Sequence, residues 1–417
     1  MRSRKFEMLQ SVISLIVFTV LDLLDSVLCI VYAFLDVFIE GTSSPCYCHK
    51  RDTGRQENNV SETLYGRRNV FREIGFRNLK GLMQGAKEKG RRIIGNRWSD
   101  CSCESCVSWM KNGDDLRLHV VVQEPHTDTP SASINDHEGQ MIENVVFLHG
   151  FISSSSFWTQ TVFRYLTEDT KKKYRLFAVD LLGFGTSPKP KDCLYTLDDH
   201  VEMIEKSVIL PLGLKSFHLV AHSMGSIIAL ALAAKHQLSV RTVTLIAPPY
   251  FPSPKDEASF LALGKLAEKR LWPPLLFGTS FMSWYEHLGR TVCFFICKYH
   301  RAWEFFLRQL TRQRELHFLI TDTIKHTHHS AWHTMHNVVC GGAKYLDECF
   351  DILSQKGVKM TVIQGDEDQV VPLECSFNIK MKIRDTNVIV LSKRDHITVV
   401  LHQTKEFTQI LESIWRS

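Results

Sequence analysis

The stretch Phe217-His218-Leu219-Val220-Ala221-His222-Ser223-Met224-Gly225-Ser226 limits the folds open to this chain more than any other. An apolar run stops at His-Ser-Met-Gly, and a helix-forming run, Ile227 to Ala234, starts at once. Strand, sharp turn and helix in so few residues lift a serine off the end of a buried sheet. Its hydroxyl is exposed there, with the next backbone N–H facing the same space. Gly225 permits close approach of strand and helix. Ala221 stands where a G-x-S-x-G pattern has its first glycine, and alanine is the smallest side chain that can replace it. The same ten residues also describe a buried serine in an ordinary βα loop, so the rest of the chain has to decide.

That remainder alternates strand and helix patterns. Strands are expected at Arg117–Val122, Asn144–Leu148, Tyr174–Val179, Ser216–Ala221, Thr242–Ala247, Lys359–Ile363 and Asn387–Leu391. Several are continuous apolar runs, as parallel strands covered on both faces should be. Helical patterns fall at Ser155–Leu166, Leu197–Ile209, Ser226–Lys235 and Thr404–Trp415. The expected fold class is therefore α/β, a mostly parallel sheet with helices on both faces. A helical, aromatic-rich segment at about 248–353 breaks the alternation and reads as a cap over the sheet. The expected division is a hydrophobic N-terminal signal or anchor (1–42), a basic cysteine-bearing linker (43–110) and a catalytic unit (111–417). A chain of 417 residues, 44% hydrophobic, has ample material for one large core.

Four further stretches fall at strand ends. His149-Gly150-Phe151 can aim the Phe151 N–H at a site shared with the Met224 N–H, giving a two-donor oxyanion hole. Asp180-Leu181-Leu182-Gly183-Phe184-Gly185 forms a tight loop on the same edge. Gly365-Asp366-Glu367-Asp368-Gln369-Val370-Val371-Pro372 puts a carboxylate after a late strand, and its spacing favours Asp368 over Asp366. Asp395-His396 follows the last strand. Ser223, Asp368 and His396 in that order make a nucleophile, acid and base set. On these motifs the chain resembles the α/β-hydrolase superfamily from about Leu118 onward. That resemblance implies acyl-ester chemistry at Ser223 with no cofactor and no metal. Two departures remain: Ala221, and Asp395 where the family usually has glycine.

The N-terminus has a different character. Arg2, Arg4 and Lys5 precede an apolar stretch from Met8 to Ile39, interrupted by Asp22, Asp25 and Asp36. On a helix these three share one stripe with Ser11, Ser26, Cys29 and Glu40. An interfacial anchor, a spanning helix whose polar stripe meets a partner, and an uncleaved signal core all fit this pattern. Each points to the secretory pathway, with the protein membrane-associated or in the extracellular wall. From Arg51 to Arg97 there are twelve arginines and lysines, suited to an anionic membrane surface or wall polysaccharide and equally to a solvated linker. No motif supports nucleic-acid binding. Asn59-Val60-Ser61 is a glycosylation sequon. Cys46 and Cys48 are placed for lipidation or for disulfides.

Two groups of metal-capable residues stand out. Cys101, Cys103 and Cys106 could bind zinc with Cys46 or Cys48 as a fourth ligand, but no histidine lies at finger spacing. Disulfides in an oxidising compartment suit the N-terminal signal better. His326, His328, His329, His333 and His336 crowd together in the cap, with Asp322 and Cys340 outside them, yet one helix cannot aim them all at one point.

Taken together, the hydrophobic N-terminus, Ser99-Asp100-Cys101-Ser102-Cys103-Glu104-Ser105-Cys106, Asp180-Leu181-Leu182-Gly183-Phe184-Gly185 and His333-Thr334-Met335-His336-Asn337-Val338 resemble the plant BODYGUARD-type hydrolases over nearly the whole chain. The resemblance implies a lysophospholipase-like serine esterase linked to cuticle or suberin polyester formation. Its partner would be a lipid or polyester-monomer acyl ester. An acyltransferase or polyester synthase with the same triad stays open, although no His-x-x-x-x-Asp box starts at His396. So does a non-catalytic binding protein on the same scaffold. An epoxide hydrolase would need an acid where Ser223 stands.

Overall fold

The computed structural model describes residues 2–41, 46–48, 60–73, 97–110, 116–126 and 142–416. Asn59 of the sequon and most of the basic run from Arg51 to Arg92 lie outside these residues. Seven strands form one sheet in the order β1-β3-β2-β4-β5-β6-β7. They are β1 (Val120–Gln123), β2 (Glu143–Leu148), β3 (Tyr174–Val179), β4 (Phe217–His222), β5 (Val240–Ile246), β6 (Lys359–Gly365) and β7 (Asn387–Leu391). Only β1 runs antiparallel, against β3. Every other neighbouring pair is parallel, with Val146 opposite both Phe177 and Leu219.

Alternation along each strand sends its apolar residues to both faces. On one face Val146, Leu148, Leu219 and Ala221 pack with Ile227, Ile228 and Leu230 of the helix Met224–Lys235. On the other, Val145, Phe147 and Val220 pack with Phe407, Leu411 and Trp415 of the C-terminal helix Thr404–Arg416. Each such side chain taken fully out of water contributes about 1.5–3 kcal/mol, so the sheet is the rigid floor on which the loops at its C-terminal edge stand.

The sequence placed β3 and β7 to the residue. It placed β1 too early, because Leu118 and His119 donate their N–H groups to the Ser207 and Ser187 hydroxyls. The expected helix at Ser155–Leu166 is two short turns, Ser156–Thr159 and Val162–Tyr165, with Thr161 out of helical geometry between them. Between β5 and β6 the chain is helical throughout its regular elements. Its last helix, Leu346–Gln355, packs against Met224–Lys235 as the crossover to β6.

The N-terminal stretch is a single helix, Arg2–Glu40, long and apolar enough to cross a bilayer. Its acidic stripe faces the chain's own cap. Asp22 pairs with Lys269 at 3.0 Å, Asp25 pairs with Arg72 and accepts the His287 N–H at 3.0 Å, and Asp36 takes both arms of Arg290 at 2.8 Å. The opposite side, including Leu9, Ile16, Leu24, Val27, Phe34 and Phe38, is exposed. No disulfide joins any of the twelve cysteines, and the Cys29 and Cys46 sulfurs stand 3.4 Å apart against about 2.05 Å for a bond.

Candidate active site

The β4 ladder ends at His222, and Ser223 takes φ +52° and ψ −121° before the helix Met224–Lys235 begins. A non-glycine residue rarely adopts this backbone, and it is held here by its neighbours. The Ser223 N–H donates to the Ile246 carbonyl at 2.8 Å, and its carbonyl accepts the Ser226 N–H at 2.9 Å. Gly225 is required by crowding, since a Cβ there would sit 2.6 Å from the His149 carbonyl oxygen. Ala221 needs no such freedom. It is a regular strand residue opposite Leu148 and Leu245, which is why the first glycine of the pattern can be lost.

Three loops from three strand ends meet at this turn. His396 Nε2 lies 2.9 Å from Ser223 Oγ, and His396 Nδ1 lies 2.8 Å from Asp368 Oδ2. A carboxylate only accepts, so Nδ1 carries the proton and Nε2 is left to accept the serine hydroxyl. The Asp368 side chain is fully buried. Its Oδ1 accepts the Val370 and Val371 N–H groups, both at 2.9 Å, and its Oδ2 also accepts Gln364 Nε2 at 2.9 Å. Asp366 lies outside this set and accepts the Lys393 N–H. Asp395 has a use of its own: Oδ1 accepts the Ile397 and Thr398 N–H groups, folding the turn that presents His396.

His149-Gly150-Phe151 closes the other side. His149 Nε2 accepts the Leu181 N–H at 2.9 Å, so its Nδ1 carries the hydrogen and donates to the Gly150 carbonyl at 2.7 Å. That fixes the loop against Ser223, whose Cβ lies 3.3 Å from where a Cβ on Gly150 would stand. Among the described residues neither the Phe151 nor the Met224 N–H donates to another protein group. Two unused donors beside a serine hydroxyl are the arrangement that could hold an oxyanion.

Two parts of the site had no motif to announce them. Gln364 bridges Asp368, the Val371 carbonyl and Ser376 Oγ; its only sequence signal is a polar residue closing an apolar strand. His222 stacks on Phe157, sits under the His396 ring at 4.9 Å and donates Nε2–H to the His396 carbonyl at 2.9 Å. Burial pulls its pKa down to about 3, so it stays neutral beside His396. The Asp180 loop braces the same edge. Burial would raise that carboxyl, but His119 and the Ser155 and Thr186 N–H groups hold it well below the usual carboxylate range. In the cap, burial raises Asp322, which accepts Ser154 Oγ–H at 2.7 Å, to about 6.

The cap histidines do not form one cluster. His329 and His333 bond the Cys193 and Leu194 carbonyls, and His336 faces Thr63 Oγ1. His326 turns instead toward Cys293 and Cys297.

A sheet of this order, with a strained serine after β4 and its partners after β6 and β7, defines the α/β-hydrolase class, and a family model described as alpha/beta hydrolase fold matches residues 143–403. The chain belongs, more narrowly, to the plant BODYGUARD family of α/β-hydrolases. It is 51% identical to "Probable lysophospholipase BODYGUARD 4" of Arabidopsis thaliana over 99% of each chain. It is 48% identical to "Probable lysophospholipase BODYGUARD 5" of the same plant, over 96% of this chain and 93% of the relative. The solved esterase EaEST from Exiguobacterium antarcticum superposes with a TM-score of 0.47 at 21% identity, over 72% of this chain and 96% of that one.

Proposed function

We propose that the chain is a serine carboxylic-ester hydrolase that cleaves acyl esters of lipids through an acyl-serine intermediate. The carrying observation is the relay Asp368–His396–Ser223, with two unused N–H donors beside it. A serine hydroxyl is a weak nucleophile near neutral pH. His396 Nε2 takes its proton as Oγ attacks the acyl carbon, and Asp368 steadies the imidazolium that forms. The Phe151 and Met224 N–H groups hold the oxyanion, each worth about 3 kcal/mol. His396 then protonates the leaving alcohol, and water attacks the acyl-serine by the reverse path.

The relatives' names favour a lysophospholipid, and the family resemblance favours a cutin- or suberin-type ester in cuticle formation. A fluorophosphonate probe should label the purified chain at Ser223, and turnover of lysophosphatidylcholine or long-chain monoacyl esters should exceed that of short water-soluble esters. Labelling elsewhere, or no turnover of any ester in the panel, overturns the assignment.

The setting we propose is a membrane surface on the secretory side. A helix docked through Asp22, Asp25 and Asp36 presents its exposed Leu9, Ile16, Val27, Phe34 and Phe38 outward, the arrangement of an interfacial anchor. Cap residues Phe295, Phe305, Phe306 and Leu310 add exposed apolar area. The full chain should float with phosphatidylcholine vesicles, whereas the combined Ile16→Ser, Val27→Ser, Phe34→Ser variant should stay at the bottom of the gradient. Equal flotation of the two sinks the anchor.

A further inference from the structure

Cysteines that form no disulfide gather in two compact groups, each joined by a histidine from the cap. Cys29, Cys46 and Cys48 meet His287, and Cys101, Cys103 and Cys106 meet His300; within each group the ligand atoms all lie within 4.8 Å of one another. We propose that these are two structural zinc sites of Cys3His type, which fasten the N-terminal helix and the cysteine-bearing segment to the cap.

The distances fit a tetrahedron. Bonds of about 2.3 Å to sulfur and about 2.0–2.1 Å to nitrogen put ligand atoms about 3.8 Å apart for two sulfurs and about 3.6 Å apart for sulfur and nitrogen. In the first site the Cys29 sulfur is 3.4 Å from Cys46 and 3.7 Å from Cys48, the Cys46 sulfur is 3.8 Å from His287 Nε2, and Cys48 is 3.8 Å from Nδ1 of the same ring, with one ligand atom from each residue within 4.8 Å of the others. In the second, His300 Nε2 lies 3.5 Å from both Cys103 and Cys106. Such separations are too long for disulfides and have no apolar explanation, since thiols are weak hydrogen-bond partners.

The surroundings match as well. His300 turns its Nδ1 to Glu304 at 3.1 Å, and His287 has the Asp25 carboxylate 3.5 Å from Nδ1. A carboxylate behind a ligating imidazole fixes its tautomer and orientation. Both sites also contain the same short turn. The Cys48 N–H points at the Cys46 sulfur and the Cys103 N–H at the Cys101 sulfur, each at 3.4 Å. Repetition of one local device at two separate places argues for one chemistry at both. Cys293, Cys297 and His326 bring three more ligands together beside the second site, and three do not close a structural site.

No sequence spacing announces this arrangement. The histidines come from the cap helices Glu286–Ile296 and His300–Thr311, nearly two hundred residues beyond Cys101–Cys106 and further still from Cys46 and Cys48. Cys46 and Cys48 therefore do not complete the Cys101–Cys106 group; the fold gives each group its own histidine.

The experiment is elemental analysis of the full-length chain purified without chelator, with thiol counting by mass spectrometry under denaturing, non-reducing conditions. About two zinc ions per chain or more are expected, with unlinked cysteines. Cys46→Ser with Cys48→Ser should remove one ion, and Cys103→Ser with Cys106→Ser another. Should the serine variants fail to fold, His300→Cys keeps four ligands and should keep the second ion, whereas His300→Ala should lose it. Less than one bound metal ion per chain, or disulfides among Cys29, Cys46 and Cys48 or among Cys101, Cys103 and Cys106, overturns the proposal. An ion that survives one of the double substitutions overturns that site.

Discussion

Asp368→Asn is expected to lower ester turnover about 10⁴-fold with KM little changed, the size of loss that a wrong-tautomer histidine causes in a serine-protease triad. The hydrogen bonds dictate how the new amide must sit. The Oδ1 position receives two backbone N–H groups, from Val370 and Val371, and only an oxygen satisfies both. The amide nitrogen is therefore forced to the Oδ2 position, facing His396 Nδ1 and Gln364 Nε2. Its N–H drives the proton of the imidazole to Nε2, so the ring donates to Ser223 instead of accepting from it. Gln364 cannot turn to relieve the clash of donors, because its oxygen accepts Ser376 Oγ–H at 3.0 Å. Steady-state kinetics on a lysophospholipid or long-chain ester tests this, with circular dichroism to show that the fold persists. Turnover within tenfold of the parent chain overturns Asp368 as the acid. The parallel Asp366→Asn change should then show a small effect, since Asp366 holds only the backbone of the Lys393 turn.

The second large effect concerns stability. Arg290→Met should destabilise the docking of the N-terminal helix by about 3–5 kcal/mol, because the buried Asp36 carboxylate loses the bidentate guanidinium that neutralises it. Arg290 and Asp36 side chains are 5% and 2% exposed, so solvent screens them little. Both arms of the guanidinium bind the Asp36 carboxylate, Nε reaches Ser99 Oγ at 3.2 Å, and the group lies 4.4 Å above the Tyr32 ring. With methionine in its place, Asp36 loses both guanidinium contacts and keeps the Trp98 indole N–H at 2.7 Å. Adding Asp36→Leu should recover most of the loss, since the cost lies in the stranded charge more than in the missing attraction. Protease susceptibility of the Arg2–Glu40 helix and the thermal midpoint together read this out. A single variant no weaker than the double variant contradicts it.

How much of this was legible in the sequence depended on range. The sheet was, because each strand carries its own apolar run; β3 and β7 end where those runs end. The strand-end loops carrying Ser223, Asp368 and His396 were legible too, since local motifs mark them and the fold needs only to bring three neighbouring strand ends together. The stripe of Asp22, Asp25 and Asp36 followed from helical periodicity. Its partners did not, because Lys269, Arg290 and His287 lie some two hundred and fifty residues away and no local pattern links them. Gln364 and His222 were invisible for a related reason. Each meets Asp368 or His396 through one hydrogen bond that any polar residue of the right reach can make. The expected disulfides failed because composition reports how many thiols there are, not which side chains reach them.

The docked acidic stripe has a consequence for biogenesis. A leader that is meant to be cut away can be lost without harm to the folded remainder. This helix cannot: its removal would strand Arg290, Lys269 and Arg72, whose carboxylate partners all lie on it, with Arg290 deeply buried and the other two partly so. Removal would also uncover Tyr285 and Leu288 of the cap, which pack against Phe18 of the helix. The N-terminal helix is thus a structural partner of the cap. Cleavage after this helix would leave the cap without the carboxylates and the apolar contacts it now packs against.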